Sequence, residues 1–301
     1  MEITNFLRKK LNIMFKYGIQ MSVDKVDERV PVILRGNFEE CANIAKNVGY
    51  DGIELFMHTP SEKDPYEFKK IANSYGLSIT CICTGMEYGK FGLCLTSNEK
   101  NIRENAIAKL KEHIDFAEIT DSMICIGTMR GQIPDSSSRQ LYYEKLADSL
   151  MELNEYAISK NVQLVVEDNP QYVSNFLNTI EEVGTFVEQL ALKNVGLHLD
   201  THCISMEDKS IEDIRKYSNI LKYFHYADSN RGYPGSCNFN FLAMTKLLLE
   251  INYTGFITLE CQPYPNQEEC ARRGLAYVKA IETAAEIELM RLKDSLYKKN
   301  I

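Results

Sequence analysis

The sequence predicts an α/β protein built as a single (β/α)8 TIM barrel, and three observations carry that prediction. From Met14 onward, eight short β-rich runs alternate with eight longer segments of helical periodicity. No low-complexity linker divides the chain into halves. The turn beyond Met21 lacks the glycine-rich fingerprint of an open dinucleotide-binding sheet. At 301 residues the chain could hold two average domains, but barrels of this kind reach that size as one unit, so the strand count decides.

Residues 1–13 carry Arg8, Lys9 and Lys10 without the apolar stretch of a signal peptide, and are expected to form an arm or short helix outside a barrel of residues 14–301. The first strand is expected at Phe15–Met21. After a polar loop, a helix spans Phe38–Val48, with Cys41, Ile44, Ala45 and Val48 on one face and Gly49 as its C-cap. Gly52–Met57 reads as the second strand, and past His58 and Pro60 a helix runs from Pro65 to Tyr75, where Gly76 ends it. The third strand, Ser78–Gly85, leads through a glycine-broken segment to Leu95. A long amphipathic helix then covers roughly Glu99–Glu118, with Ser97 or Asn98 able to cap it. Met123–Gly127 is the fourth strand, followed by a loop carrying Arg130 and Gly131 and a helix over Ser138–Lys160. Val162–Asp168 is the fifth, with its helix at Ser174–Leu192. Val195–Asp200 is the sixth, with a helix near Ile211–Leu221. The seventh strand begins at Tyr223 and passes into an Asn-, Gly- and Pro-containing loop ending at Gly235, before a helix at Phe239–Asn252. Gly255–Cys261 is the eighth, and a terminal helix runs from Gln267 into the Lys-rich tail.

Composition narrows the function. With 45% hydrophobic and 25% charged residues this is an ordinary globular chain. Its formal charge of -8 argues against a broad nucleic-acid or anionic-membrane surface and favours a small-molecule ligand. Nine cysteines are spread from Cys41 to Cys270, odd in number and without a C-x-x-C pair, and read as buried free thiols in a reducing cytosol. No run approaches the ~20 apolar residues of a membrane span. The expected location is therefore cytoplasmic. Neither a phosphate loop nor a G-x-S-x-G elbow is present.

In such a barrel the active site lies at the C-terminal ends of the strands. Four consecutive strands end in groups able to ligate a metal: Glu167, Asp200, His225 and Glu260. Neighbouring strands lie about 5 Å apart, so these side chains can converge on one ion. Three carboxylates and an imidazole suit Mn²⁺, with Mg²⁺ or Co²⁺ as alternatives, better than a structural zinc. Taken singly, a strand-end carboxylate most often caps a helix or joins an ion pair, and a buried histidine is most often a core residue. Taken together, three clustered carboxylates are costly to bury unless a cation neutralises them.

The segments V-V-E-D-N, H-L-D-T-H, F-H-Y-A-D-S-N-R-G-Y-P-G and L-E-C-Q-P, in this order and at these intervals, resemble the xylose-isomerase-like barrel superfamily, and within it the sugar epimerases and isomerases of the ketose 3-epimerase type. T-G-M-E-Y-G-K-F-G-L-C-L-T-S and I-G-T-M-R-G extend the resemblance, which covers the chain from about Met14 to Ala280. It implies a divalent metal held by Glu167, Asp200, His225 and Glu260. It also implies that Glu167 and Glu260 act as the acid/base pair, removing a carbon-bound proton from one face of a ketose and returning it to the other through a cis-enediolate. Arg231 matches a family arginine that positions a substrate oxygen; its plainer account is a surface pair with Asp228.

Further candidates for substrate contact are His202, Cys203 and Glu54. Glu54 and His58 flank the end of the second strand, where Glu54 could equally be a barrel-interior or helix-cap residue. His198 shares a face with Asp200 by period two and is either a partner of the site or a core histidine. His113 is assigned no role. Two departures stand out: Cys203 occupies the place three residues after the metal-binding aspartate where relatives often carry His, and Val173 stands six residues after the first glutamate where they often carry an acid. The same scaffold also suits a dehydratase of inositol-type ketones or a non-catalytic sugar-binding relative. Five histidines and the negative charge disfavour an endonuclease acting at abasic sites. The expected partners are a sugar or sugar phosphate and further copies of the chain as a dimer or tetramer, with no nucleic acid and no membrane.

Overall fold

The computed structural model describes residues 15–134 and 138–299; the arm expected over residues 1–13 lies outside them. Its strands are β1 (Lys16–Ser22), β2 (Leu34–Arg35), β3 (Gly52–Phe56), β4 (Ser78–Cys83), β5 (Met123–Ile126), β6 (Leu164–Glu167), β7 (Val195–Asp200), β8 (Leu221–Tyr226) and β9 (Phe256–Leu259). They form one parallel sheet in which β1 and β3 to β9 follow in chain order. Pairing of β1 with β9, from Lys16↔Phe256 to Ile19↔Leu259, closes those eight strands into a barrel. The two-residue β2 adds to the flank of β1.

Local chemistry explains where the helices start and stop. The Asn37 side chain accepts from the Glu39 and Glu40 amides to open helix Phe38–Val48, and Gly49 closes it with φ 103°, which a side chain would strain. Asp64 caps Pro65–Tyr75 in the same way. Helix Lys100–Thr120 lacks the expected side-chain cap. Ser97 Oγ is spent on the Glu99 amide, and Asn98 Oδ1 accepts from Lys145 and Tyr142 of the neighbouring helix Arg139–Lys160. The largest correction follows β7. No α-helix forms over residues 211–221; a short helix, Thr201–Glu207, starts at once because Asp200 caps it, Ile211–Tyr217 is 3₁₀, and Leu221 already belongs to β8. The next-largest is that helix Ile180–Leu190 starts late, at the Thr179 cap.

Strand side chains alternate, so the barrel has an outer and an inner core. The outer core packs the strands against the helices. The inner one is small: Cys81, Cys83, Cys125, Val165 and Tyr223, with Phe56, Met123 and Phe256 against them. Tyr223 lies across the barrel, its hydroxyl 2.6 Å from both Thr80 Oγ1 and Thr258 Oγ1. Room for those threonines comes from Gly18 and Gly52, where a Cβ would meet Thr258 at 2.3 Å and Thr80 at 2.4 Å. On this plug rests a buried polar layer of Gln20, Glu54, His198 and His225, and that layer is the floor of the site.

Candidate active site

Strand register sets the site. Glu167 pairs with His198 across β6 and β7, Asp200 with His225 across β7 and β8, and His225 with Thr258 across β8 and β9. Asp200 and Glu260 each lie two residues beyond a paired position, so alternation turns all four side chains into the barrel mouth. One donor atom from each of Glu167, Asp200, His225 and Glu260 lies within 4.8 Å of the others.

His225 tests whether this set fits a cation. Its Nδ1 lies 3.2 Å from Glu167 Oε1 and 3.5 Å from Glu260 Oε2. That nitrogen is buried and makes no hydrogen bond with any described residue. Nε2 is held by Glu54, at 2.9 Å from Oε2 and 3.1 Å from Oε1. A carboxylate on the far nitrogen, fixing the ring while the near nitrogen faces other ligands, is how proteins orient metal-binding histidines. The donor set and this orphaned nitrogen fit a divalent ion of the oxygen-preferring kind.

The surrounding groups balance the charge. Arg231 donates Nη1 to Asp200 Oδ2 and Nη2 to Glu260 Oε2. Gln20, which sequence reasoning missed, donates Nε2 to Glu54 Oε1 at 2.5 Å and to Glu260 Oε1 at 2.8 Å. Its one sequence signal is a polar residue inside the apolar run Gly18-Ile19-Gln20-Met21. Burial opposes ionisation of Glu260, but Arg231 and His225 outweigh it and hold the carboxyl below its usual range. Burial likewise opposes a charged His225, yet Glu54 and Glu260 raise its pKa well above the ordinary imidazole value. His198 is pushed the other way, to about 3, by burial and by His225, so it is neutral. Burial, Asp200 and Glu167 push the Asp168 carboxyl well up, and its Oδ1 accepts the Asp200 amide at 2.8 Å.

Above the floor opens a cleft of about 660 Å³, with Glu167, Glu260 and Arg231 at its base and Tyr88, Tyr172, Val173 and Cys203 among its walls. Both positions that depart from the resemblance therefore face the space a substrate would fill. His202 is placed differently from expectation: its Nε2 is 2.9 Å from the Tyr172 hydroxyl, behind the wall. Glu54 is fully buried beneath His225 and takes no part in the cleft wall, because the Gln20 and His225 contacts hold it down. Arg231 does not pair with the Asp228 side chain. Asp228 instead accepts the amides of Ser229 and Phe239 on Oδ1 and of Gly235 and Cys237 on Oδ2, which shapes the loop that presents Arg231. Arg130, fully buried, ties the main-chain oxygens of Glu167, Phe176 and Leu177 together and so fixes the end of β6. His58 contacts Lys90 at 2.9 Å, outside the four-ligand set. His113 forms a buried pair with Glu87 at 3.0 Å, tying helix Lys100–Thr120 to helix Gly85–Phe91.

A closed parallel barrel whose last four strands bring three carboxylates and an imidazole together at their C-terminal ends defines a class of barrel isomerases. The chain belongs to the xylose isomerase-like TIM barrel family, whose sequence profile matches residues 42–281. Among curated relatives, a ketose 3-epimerase of Arthrobacter globiformis is 34% identical over 71% of this chain and 74% of its own length. An L-ribulose 3-epimerase of Mesorhizobium japonicum is 30% identical over 71% and 72%. A solved L-ribulose 3-epimerase superposes with a TM-score of 0.80 at 20% identity, covering 93% of this chain and 98% of that one, and so supports the fold. Epimerases are isomerases, and this chain is an enzyme of that class. Among the described residues no helix is long and apolar enough to cross a membrane.

Proposed function

We propose that this enzyme inverts the configuration of a ketose at the carbon beside its carbonyl, with Glu167 and Glu260 exchanging the proton. The observation that carries the reading is the four-ligand cluster whose only nitrogen, His225 Nδ1, is orphaned and aimed at two glutamates. Glu167, Asp200, His225 and Glu260 would hold a divalent ion, Mn²⁺ in the first place, which when bound supplies Lewis acidity to vicinal substrate oxygens. Glu167 and Glu260 enter from β6 and from the residue after β9, with β7 and β8 between them, so their carboxylates reach a sugar in the cleft from two sides. One takes the carbon-bound proton, leaving a planar cis-enediolate, and the other returns a proton to the opposite face. Gln20 and Arg231 fix the two oxygens of Glu260, and Arg130 fixes the main chain at Glu167, so neither carboxylate wanders during transfer. Names of the relatives support a ketose and the 3-position. Val173 and Cys203, in the cleft wall, are where this chain's choice of sugar is set.

The test is incubation of the Mn²⁺-loaded enzyme with a panel of free and phosphorylated ketoses in D₂O. Deuterium at C3 is expected, and its loss in Glu260→Gln; deuterium at C1 or C2 would mean aldose–ketose isomerisation instead. Bound metal with no exchange from any ketose would sink the reading and favour the dehydratase.

A further inference from the structure

The four-ligand centre uses one oxygen of Glu167 and leaves the other pointing elsewhere. Oε1 faces His225, whereas Oε2 lies 3.7 Å from the thiol of Cys125 on β5. Cys125 Sγ is in turn 3.3 Å from His198 Nδ1, and that nitrogen is 4.0 Å from Glu167 Oε1. Cys125 and His198 are buried in the barrel, Cys125 and Glu167 form part of the cleft lining, and a donor atom from each of the three lies within 4.8 Å of the others.

We propose that Cys125, His198 and Glu167 form a second cation site, beside the first and sharing Glu167 with it, selective for sulfur-preferring divalent ions of the zinc and cadmium kind. Zinc bonds of about 2.3 Å to sulfur and about 2.0–2.2 Å to nitrogen or oxygen, at tetrahedral angles, put ligand atoms about 3.4–3.6 Å apart. The 3.3 Å between Cys125 Sγ and His198 Nδ1 and the 3.7 Å between Cys125 Sγ and Glu167 Oε2 lie within a few tenths of an ångström of that range, and the 4.0 Å from His198 Nδ1 is to Oε1, the other oxygen of the same carboxylate. Cys125 and Glu167 line the cleft, so a water or substrate atom would complete the four ligands from that side. Space beside Glu167 is preserved by Gly127, where a Cβ would stand 2.5 Å from Oε2. A thiolate and a neutral imidazole with one carboxylate rank softer ions above Mg²⁺ or Mn²⁺, the reverse of the neighbouring three-carboxylate set. On binding, the Cys125 S–H bond breaks, an S–metal bond forms and one proton leaves to solvent. A soft ion there engages the Glu167 carboxylate that the proposed chemistry uses as an acid/base, so trace zinc or cadmium acts as an inhibitor while the first ion stays bound.

The site goes beyond the proposed epimerase chemistry, and its test is independent of turnover. Metal-stripped enzyme is dialysed against Mg²⁺ or Cd²⁺, ions per chain are counted by elemental analysis, and cadmium–thiolate absorption is recorded in the ultraviolet. The wild type is expected to hold one more Cd²⁺ than Mg²⁺. The extra ion and its share of the absorption disappear in Cys125→Ser, whereas Asp200→Asn, which breaks only the first set, keeps that absorption. Should Cys125→Ser fail to fold, judged by circular dichroism, His198→Gln carries the same expectation. Equal counts for the two ions, or absorption unchanged by Cys125→Ser and so belonging to another cysteine such as the exposed Cys237, overturns the proposal and leaves Cys125 as barrel packing.

Discussion

Glu54→Gln separates the role the structure gives Glu54 from the substrate contact expected of it. Glu54 and His225 are both fully buried, and Nε2 contacts the two carboxylate oxygens at 2.9 and 3.1 Å. The substitution keeps the shape and one acceptor but removes the charge. Hydrogen bonds to charged groups contribute about 1.5–3 kcal/mol against about 0.5–1.5 for neutral pairs, so about 1–2 kcal/mol of ring orientation and ligand basicity is lost. At about 1.4 kcal/mol per tenfold, Mn²⁺ should bind roughly 5- to 30-fold more weakly. The upper end is favoured because Gln20 also donates to Glu54 Oε1, and one amide cannot satisfy both neighbours as a carboxylate does. Chelator competition at fixed pH and ionic strength gives the Kd, with the thermal midpoint confirming that the fold survives. An unchanged Kd with a raised KM for the sugar would refute the reasoning and restore Glu54 as a substrate contact.

Metal affinity should also depend on pH. His225 must shed its proton to ligate, and Glu54 and Glu260 hold that proton against burial, so affinity rises with pH by about tenfold per unit until the imidazole is neutral, then levels off; titration of Mn²⁺ binding from about pH 5 to 9 shows the slope. Gly127→Ala puts a methyl 2.5 Å from Glu167 Oε2, so it should displace the carboxylate and lower kcat by roughly 10²-fold for a shift of about 1 Å, read by steady-state kinetics. Asp228→Asn turns an amide toward two of four main-chain N–H groups and should cost ~2–4 kcal/mol, seen in the denaturant midpoint.

The barrel and the convergence of four strand-end side chains were legible because both rest on the strand count and its periodicity. Each stands at or beside the C-terminal end of its own strand, and consecutive strand ends of a parallel barrel meet at one mouth, so Glu167, Asp200, His225 and Glu260 could be brought together from the strand count. What lay beyond reach depends on contacts between distant strands. Gln20 is 240 positions from Glu260, and its sequence signal does not name its partners. The helix expected over residues 211–221 failed for a local reason that competes with periodicity: Asp200 serves at once as a candidate ligand and as an N-cap, which starts a helix ten residues early and leaves the expected segment as 3₁₀ turn and strand. His202 and Cys203 sit in that early helix, and its first turn decides that the thiol faces the cleft while the imidazole meets Tyr172.

Arg231 has a consequence for the order in which this protein matures. Its guanidinium spans Asp200 and Glu260, two of the acids that would otherwise repel one another at the barrel mouth. A positive group supplied by the chain itself lets the cluster assemble during folding with no ion from outside, unlike small zinc domains that stay unfolded until loaded. Folding and metal acquisition then become separable events. On the proposed metal reading, the folded barrel would take up and exchange its ion in place, with the arginine as a resident counter-ion to Asp200 and Glu260.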